Sequence, residues 1–375
     1  MVVKKNITLI YQYNENWIGG TYYIQNIIKA LNFLKDADKP ELTIISKQGT
    51  SLSEIVNINY PYIKFLSYDT GTKFITSIIN GIYRRVFGYL LLKKPLPSPE
   101  LENLYPVSDY FDLSQKKKYY FWIPDFQEHH LPHFFSTKEI RIRIAYQKYI
   151  VAQEKPIIFS SLNAKLDYDN FYPKNKNIKS VLNFVSIIDK EYLKIDLEML
   201  KLKYSLTRKF FIICNQFWKH KNHKVVLQAI VDQNETTYDF VFTGKEFDDR
   251  NPKYVDSLKK FVKDNKIQDK VKFLGFIDRN EQLKLMQESI AIIQPSLFEG
   301  WSTVVEDAKA IDKLVIVSDI LLHREQIESN CLFFDPHSAS SLNFALNKSL
   351  NYEMEVSENY QEKIERFAEN FIALF

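Results

Sequence analysis

Apolar positions along this chain fall into two alternating rhythms. In the C-terminal half, short and nearly unbroken apolar runs recur: FFIIC (210–214), DFVFTG (239–244), VKFLG (271–275), IAIIQ (290–294), LVIVSD (314–319) and CLFF (331–334). Between them lie HKVVLQAIV, YVDSLKKFVKDN and NEQLKLMQES, whose apolar residues are spaced three and four apart. A strand that is apolar on both faces belongs inside a parallel sheet, and the spaced stretches are the amphipathic helices that cover it. The pattern predicts a doubly wound α/β domain.

The first half repeats this rhythm less cleanly. NITLIYQY leads into the helical pattern TYYIQNIIKALNFLK, followed by ELTIIS, IKFLSY, KKYYFWIPD, KPIIFSS and IKSVLNF. This predicts a second doubly wound unit with a long insertion between Thr72 and Lys118, while residues 172–209, with lysines and one proline, read as a linker. The expected domains are therefore residues 1–185 and 186–355, with the last helical pattern (356–375) crossing back to pack on the first. There is no 20–50-residue repeat and no low-complexity tract. Parallel α/β sheets bind ligands beyond the carboxyl ends of their strands, so chemistry is expected in the loops that follow them.

Composition narrows the class. With 375 residues, 45% hydrophobic and 26% charged, the chain has the make-up of a globular protein of about two domains. Its net charge of +4 and pI near 8.6 lack the concentrated basic face that nucleic acid requires. Cys214 and Cys331 sit in apolar runs and read as buried free thiols of a reducing compartment. MVVKKNITLIYQY lacks a signal-peptide core, with polar Gln12 and Asn14 following at once, and no window approaches a membrane span. A cytoplasmic location is expected. The abundance of Phe, Tyr, Lys, Asn and Ile is what a nucleotide bias in the source genome produces, and carries no function.

The most informative loop is QPSLFEGWSTVVEDAKA (294–310). Thr303 and Glu306 have the spacing of a capping box, with Thr303 as N-cap and Glu306 at the third helical position. A helix starting there points unpaired N–H groups and its positive dipole end at Glu299-Gly300-Trp301-Ser302, a ready site for an anion such as a diphosphate. Gly300 allows close backbone approach, and Glu299 and Asp307 are placed to accept hydrogen bonds from sugar or ribose hydroxyls. The plain alternative is a capped helix with Glu299 in solvent.

This stretch resembles the E-x7-E signature of the retaining glycosyltransferases of family 4 (glycosyl transferases group 1). Other segments agree in the same order: WIGG (17–20), WIPDFQEHHLP (122–132), NQFWKHKNH (215–223), FTGK (242–245), FLGFID (273–278) and VSDILLHREQ (317–326). The resemblance covers nearly the whole chain. It implies the GT-B fold, two facing Rossmann-like doubly wound domains with an interdomain cleft, the first binding acceptor and the second binding nucleotide sugar. Glu299 would meet the donor sugar, the amides of Gly300, Trp301, Ser302 and Thr303 the diphosphate, and Asp307 the ribose, where the family carries a glutamate one methylene longer. Lys221 fits the family's phosphate-binding lysine, whereas Gln216 stands where an arginine is usual, and Lys219 is placed to supply the missing charge. Gly19 and Gly20 match the glycine loop, Asn215 and Gly244 sit at strand ends of the donor domain, and Phe276 and Ile277 would flank the base. In WIPDFQEHHLP, described in the family as the loop after the fourth strand, Asp125 is kept while Pro124 replaces a histidine. His129 or His130 can serve the same space. A neutral imidazole there suits a hydrogen bond to the acceptor hydroxyl or the donor sugar.

The residues expected to carry the chemistry are thus Asp125, His129, Lys221 and Glu299. His129, His130 and His133 cluster without the cysteines or carboxylate spacing of a zinc site, and neither a metal nor another cofactor is expected beyond the nucleotide-sugar co-substrate. Residues 82–95 (IYRRVFGYLLLKKP) suit peripheral contact with an anionic inner membrane face, or equally a helix packed on the first domain with a solvated basic edge. The expected activity is retaining transfer of a hexosyl unit from a nucleoside-diphosphate sugar to a glycan or lipid-linked acceptor in surface polysaccharide or lipopolysaccharide assembly. Domain closure would bring Asp125 and His129 to the donor. Three rivals stand beside it: a nucleotide-sugar epimerase of the same fold, a two-lobed sugar-binding protein, and a non-catalytic partner subunit, the last suggested by Pro124, Gln216 and Asp307.

Overall fold

The structure, a computed structural model, describes residues 4–12, 18–69, 71, 74–87, 89–233, 237–356 and 359–375. Asn14, Trp17, Thr72, Gly88 and residues 357–358 of the final helical pattern lie outside the described residues. The chain divides into two compact units, Met1–Ile187 with Gln361–Phe375, and Ile188–Tyr360.

The first unit is built on β1 (Asn6–Tyr11), β2 (Glu41–Lys47), β3 (Ile63–Tyr68), β4 (Leu104–Val107), β5 (Tyr119–Ile123), β6 (Ile157–Phe159) and β7 (Lys179–Val181). They pair in parallel in the order β3-β2-β1-β4-β5-β6-β7. The chain winds outward from β1 to β3 and returns to β4 beside β1, which makes that junction the switch point of the sheet. The hydrophobic pattern misses β4. It is four residues long, LYPV, and contains Pro106, which has no N–H for a ladder. Its place beside β1 also means that WIPDFQEHHLP follows the fifth strand of the chain, not the fourth. The expected insertion further holds a helix, Phe74–Phe87.

The reading of 172–209 as a linker needs correction. β7 extends the first sheet, and the helix Leu197–Tyr204 belongs to the second unit, where Lys203 pairs with Glu281 at 2.6 Å. The final helix, Tyr360–Ala373, carries buried Ile364, Phe367, Ala368 and Phe371 on one stripe. Phe371 packs against Tyr105 and the following Phe375 against Tyr120, with ring centroids 5.9 and 4.7 Å apart, so this segment covers β4 and β5. Lys5 holds its end by donating to the Ile372 carbonyl at 3.1 Å.

The second unit contains β8 (Phe210–Cys214), β9 (Asp239–Thr243), β10 (Val271–Gly275), β11 (Ile292–Gln294), β12 (Val315–Ser318) and β13 (Cys331–Phe334). They form a parallel sheet in the order β10-β9-β8-β11-β12-β13. Alternate residues serve opposite faces. Phe211, Ile213, Phe240, Phe242, Ile293 and Ile316 enter one core, while Phe210, Ile212, Val241, Ile292, Val315 and Val317 enter the other. Burial on both sides explains why these strands are unbroken apolar runs. The switch point lies between β8 and β11. Loops leaving those two strands therefore border one crevice, and most of the candidate residues sit there.

Candidate active site

Asn215 follows β8 and Gln294 ends β11, on the two sides of the switch point. Both are buried, and the Asn215 amide donates to Gln294 Oε1 at 2.8 Å. The Gln294 Nε2 in turn donates to Glu299 at 2.7 Å and to Ser296 at 3.1 Å. Lys221, at the end of a single helical turn after β8, reaches the same Glu299 oxygen at 2.6 Å. Asn222 fixes that turn: it adopts a left-handed conformation (φ 55°) and donates to the carbonyls of Pro295 and Pro336. The structure thus brings Asn215, Lys221 and Glu299 into one hydrogen-bonded group. Glu299 is not in solvent: its side chain and that of Lys221 are 7% and 15% exposed. Burial alone would raise the Glu299 pKa, but the Lys221 ammonium and a hydrogen bond from Ser296 outweigh it and hold the carboxyl below its ordinary value.

The helix after β11, Thr303–Ala310, starts differently from the capping-box expectation. Ser302, not Thr303, is the N-cap, its Oγ accepting the Val305 N–H. Glu306 does not reach back to the cap. It is buried and bonded to Lys309 at 2.6 Å, to the Gln326 amide at 3.0 Å and to the Tyr360 hydroxyl at 2.7 Å. Gln326 also takes both backbone groups of Ser302, accepting its N–H at 3.0 Å and donating to its carbonyl at 2.8 Å. The Ser302 amide is therefore already used within the protein. Thr303 and Val304 keep first-turn N–H groups with no acceptor among the described residues, as the start of a helix requires. Gly300 and Trp301 are half-buried in the preceding loop, and the Lys309 ammonium lies 5.9 Å from the Trp301 ring.

Asp307 is separate from this group. It is buried and paired with Arg279 at 2.5 Å, and Arg279 opens the helix that follows β10. Gln282 on that helix donates to Thr243 at the end of β9, which ties the three strand ends together. Gly244 closes the same edge. Its φ is 141°, its N–H donates to the Gly275 carbonyl, and a Cβ there would lie 2.1 Å from the Asn215 carbonyl oxygen. No other residue fits that position. Of the residues expected to flank a base, Ile277 packs on the core while Phe276 is 72% exposed. Gln216 is half-buried and Lys219 exposed, with the Lys219 backbone N–H bonded to buried Asp248.

His323 was not among the expected residues. It is fully buried, and Nδ1 donates to the Ser318 carbonyl at 2.8 Å, which leaves Nε2 as the acceptor; Nε2 has no hydrogen-bond partner among the described residues. Burial holds this imidazole neutral, against the attraction of nearby Glu299. Gln294, Arg279 and Gln326 were missed as well. The signal for Gln294 was available: a polar residue at the carboxyl end of an otherwise apolar strand.

In the first unit, Gly19 and Gly20 lie in the opening turn of the helix Ile18–Asn32. Asp125 accepts the Gln127 N–H at 3.1 Å. His129 stacks on Phe171 with ring centroids 4.0 Å apart and bonds Gln147 at 3.0 Å. His130 is bonded to Asp167 at 2.6 Å. Buried Glu128, between Arg143 and Gln147, belongs to the His129 network.

Residues 195–370 match the model of the family described as glycosyl transferases group 1. A curated relative, the O-antigen chain mannosyltransferase RfbU of Salmonella typhimurium (strain LT2), is 29% identical over 138 residues, 36% of this chain and 37% of that protein. Among solved structures, a glycosyltransferase from Rickettsia africae ESF-5 is 16% identical with a TM-score of 0.63, covering 98% of this chain and 94% of that one. The Anabaena protein Alr3699/HepE in complex with UDP and glucose is 12% identical with a TM-score of 0.65, covering 98% and 94%. These likenesses show a shared GT-B fold of two Rossmann-like units. The match to the glycosyl transferases group 1 covers most of the second unit and reaches into the closing helix of the first.

Proposed function

We propose that the protein is a retaining hexosyltransferase that moves a sugar from a nucleoside-diphosphate donor to a glycan or lipid-linked acceptor in surface polysaccharide assembly. One observation carries the reading: the buried Lys221–Glu299 pair at the β8/β11 switch point, next to the first-turn amides of Thr303 and Val304. A departing nucleoside diphosphate gathers negative charge, which fixed cations and N–H donors stabilise without reorganising. In this reading Lys221, with Lys219 at the rim, meets the phosphates, and Glu299, held ionised, orients the sugar hydroxyls. Asp307 meets the ribose together with Arg279, an arrangement suited to the shorter acid. Gly300, Trp301 and Phe276 line the donor, and Asp125 and His129 serve the acceptor. The leaving phosphate takes the acceptor proton on the same face, so the reading calls for no strong base and no metal. The RfbU and HepE likenesses support a hexosyl donor. On this reading the protein works beside a membrane, with residues 82–95 as its peripheral contact.

The test is a thermal-shift screen of the full chain against UDP-, GDP- and dTDP-sugars. One nucleotide series raises the melting temperature of the natural chain, and the shift disappears in Lys221→Ala and Glu299→Ala. An unchanged shift in both variants rejects the assignment.

A further inference from the structure

An amphipathic helix on a protein normally turns its apolar stripe inward and its polar face to water. The helix Phe74–Phe87 does the reverse. Ile75, Ile78, Ile79, Ile82 and Val86 recur at three- and four-residue spacing and so share one face. All five are exposed, Ile75 by 69%, Ile82 by 59% and Val86 by 61%. The face toward the protein is polar. Buried Asn80 donates to the Leu92 carbonyl at 2.9 Å and accepts the Leu92 N–H at 2.8 Å. Arg84 pairs with buried Asp109 at 3.1 Å, and Asp109 also accepts the Leu90 N–H. These bonds fix the roll of the helix. Rotating the isoleucines inward would break them and bury unpaired polar groups. Leu91 and Leu92, both exposed, continue the apolar surface into the next loop.

The local sequence is basic. Between Asp69 and Glu100 the sequence has no acidic residue and five basic ones, Lys73, Arg84, Arg85, Lys93 and Lys94. Arg85 is exposed and, three positions after Ile82, borders the stripe. At the helix end the rings of Tyr83, Phe87 and Tyr89 cluster, with Tyr83 to Phe87 at 4.3 Å and Tyr83 to Tyr89 at 5.5 Å.

We propose that this outward face lies on an anionic phospholipid bilayer, with the isoleucines in the boundary between headgroups and acyl chains and the exposed Arg85 against the headgroup phosphates. The contact is thereby moved from the basic edge of 82–95 to the isoleucine stripe beginning at Ile75. Three features favour this occupant. An apolar stripe edged by cations and aromatic rings is the make-up of an interfacial helix. The isoleucines stand exposed along one face of a single helix, the arrangement by which a helix lies in the plane of an interface. A second copy is disfavoured, because a two-fold contact through the same face would oppose like charges. The inference builds on the peripheral contact above and stands apart from the transfer chemistry.

The test is co-sedimentation of the full chain with vesicles of phosphatidylcholine alone and of phosphatidylcholine with an equal share of phosphatidylglycerol. Binding at least about tenfold stronger to the anionic vesicles is expected, weakened by salt. Arg85→Gln lowers it about fivefold, and Ile78→Glu/Ile82→Glu lowers it by at least about tenfold. Both variants should keep the natural melting temperature and the nucleotide-sugar shift, which separates failure here from failure of the donor site. Absence of binding to either vesicle, or undiminished binding by the double variant, overturns the proposal. So does a natural chain that is dimeric without vesicles and becomes monomeric on Ile78→Glu/Ile82→Glu.

Discussion

Gly244 shows how little room a single residue leaves at the site. Its φ of 141° and the 2.1 Å approach of a would-be Cβ to the Asn215 carbonyl mean that any side chain must push β9 away from the loop after β8. Gly244→Ala is expected to cost about 3 kcal/mol of stability, through strain and displaced packing. Urea unfolding checks this, and a midpoint equal to the natural one contradicts it. Lys221 and Glu299 show the complementary case of two charges kept buried by each other. Their types were legible in the sequence because each stands in a strand-end motif. Their mutual bond was not, since the two lie 78 positions apart. Asp307 hides its partner in the same way, with Arg279 lying 28 positions before it.

Among the elements, the helix Thr303–Ala310 concentrates most of the local design. Its cap at Ser302 is held by Gln326, Gln326 also holds Glu306, and Glu306 holds Lys309 and Tyr360. Gln326→Leu leaves the Ser302 amide and carbonyl and a buried carboxylate short of partners, so a loss of about 2–3 kcal/mol is expected. Any nucleotide-sugar shift should shrink with it, because the first-turn amides lose their fixed direction. Calorimetric melting with and without nucleotide sugar reads both effects, and a variant matching the natural chain in both would show that the bridge is incidental. The helix itself was legible from its periodicity, but the cap was misplaced by one residue. Ser302 and Thr303 both carry hydroxyls, and only backbone angles separate them. The strand β4 was illegible for a different reason: four residues with a proline hold too little pattern, yet lie in the middle of the sheet. The six strands of the second unit were legible because burial on both faces imposes continuous apolar runs.

At the scale of the whole molecule, three buried histidines set its response to acid. Burial depresses the pKa of His220, His223 and His323 below 6.5, that of His223 to about 3. The unfolded chain, with ordinary imidazoles, therefore binds more protons below pH 6.5, and each group contributes stability that is complete above that value. Acidification removes it at up to about 1.4 kcal/mol per pH unit for each histidine, through the window from 6.5 toward the folded values. Glu299, whose folded pKa is lowered, loses its contribution in the same direction as pH falls through that value. Urea midpoints at pH 7.5 and 5.0 should differ clearly, and His223→Phe, which keeps the stack on Phe217, should narrow the gap; equal midpoints would refute the charge assignment. The GT-B fold, and the match of residues 195–370 to the glycosyl transferases group 1, set the frame in which these residues act. Whether the donor is held at the crevice between β8 and β11 is decided by diffraction from crystals of the full chain soaked with a nucleoside diphosphate. Density for the diphosphate against Lys221 and the Thr303 and Val304 amides is predicted. A nucleotide bound elsewhere, with the Lys221–Glu299 pair undisturbed and its surroundings empty, would contradict it.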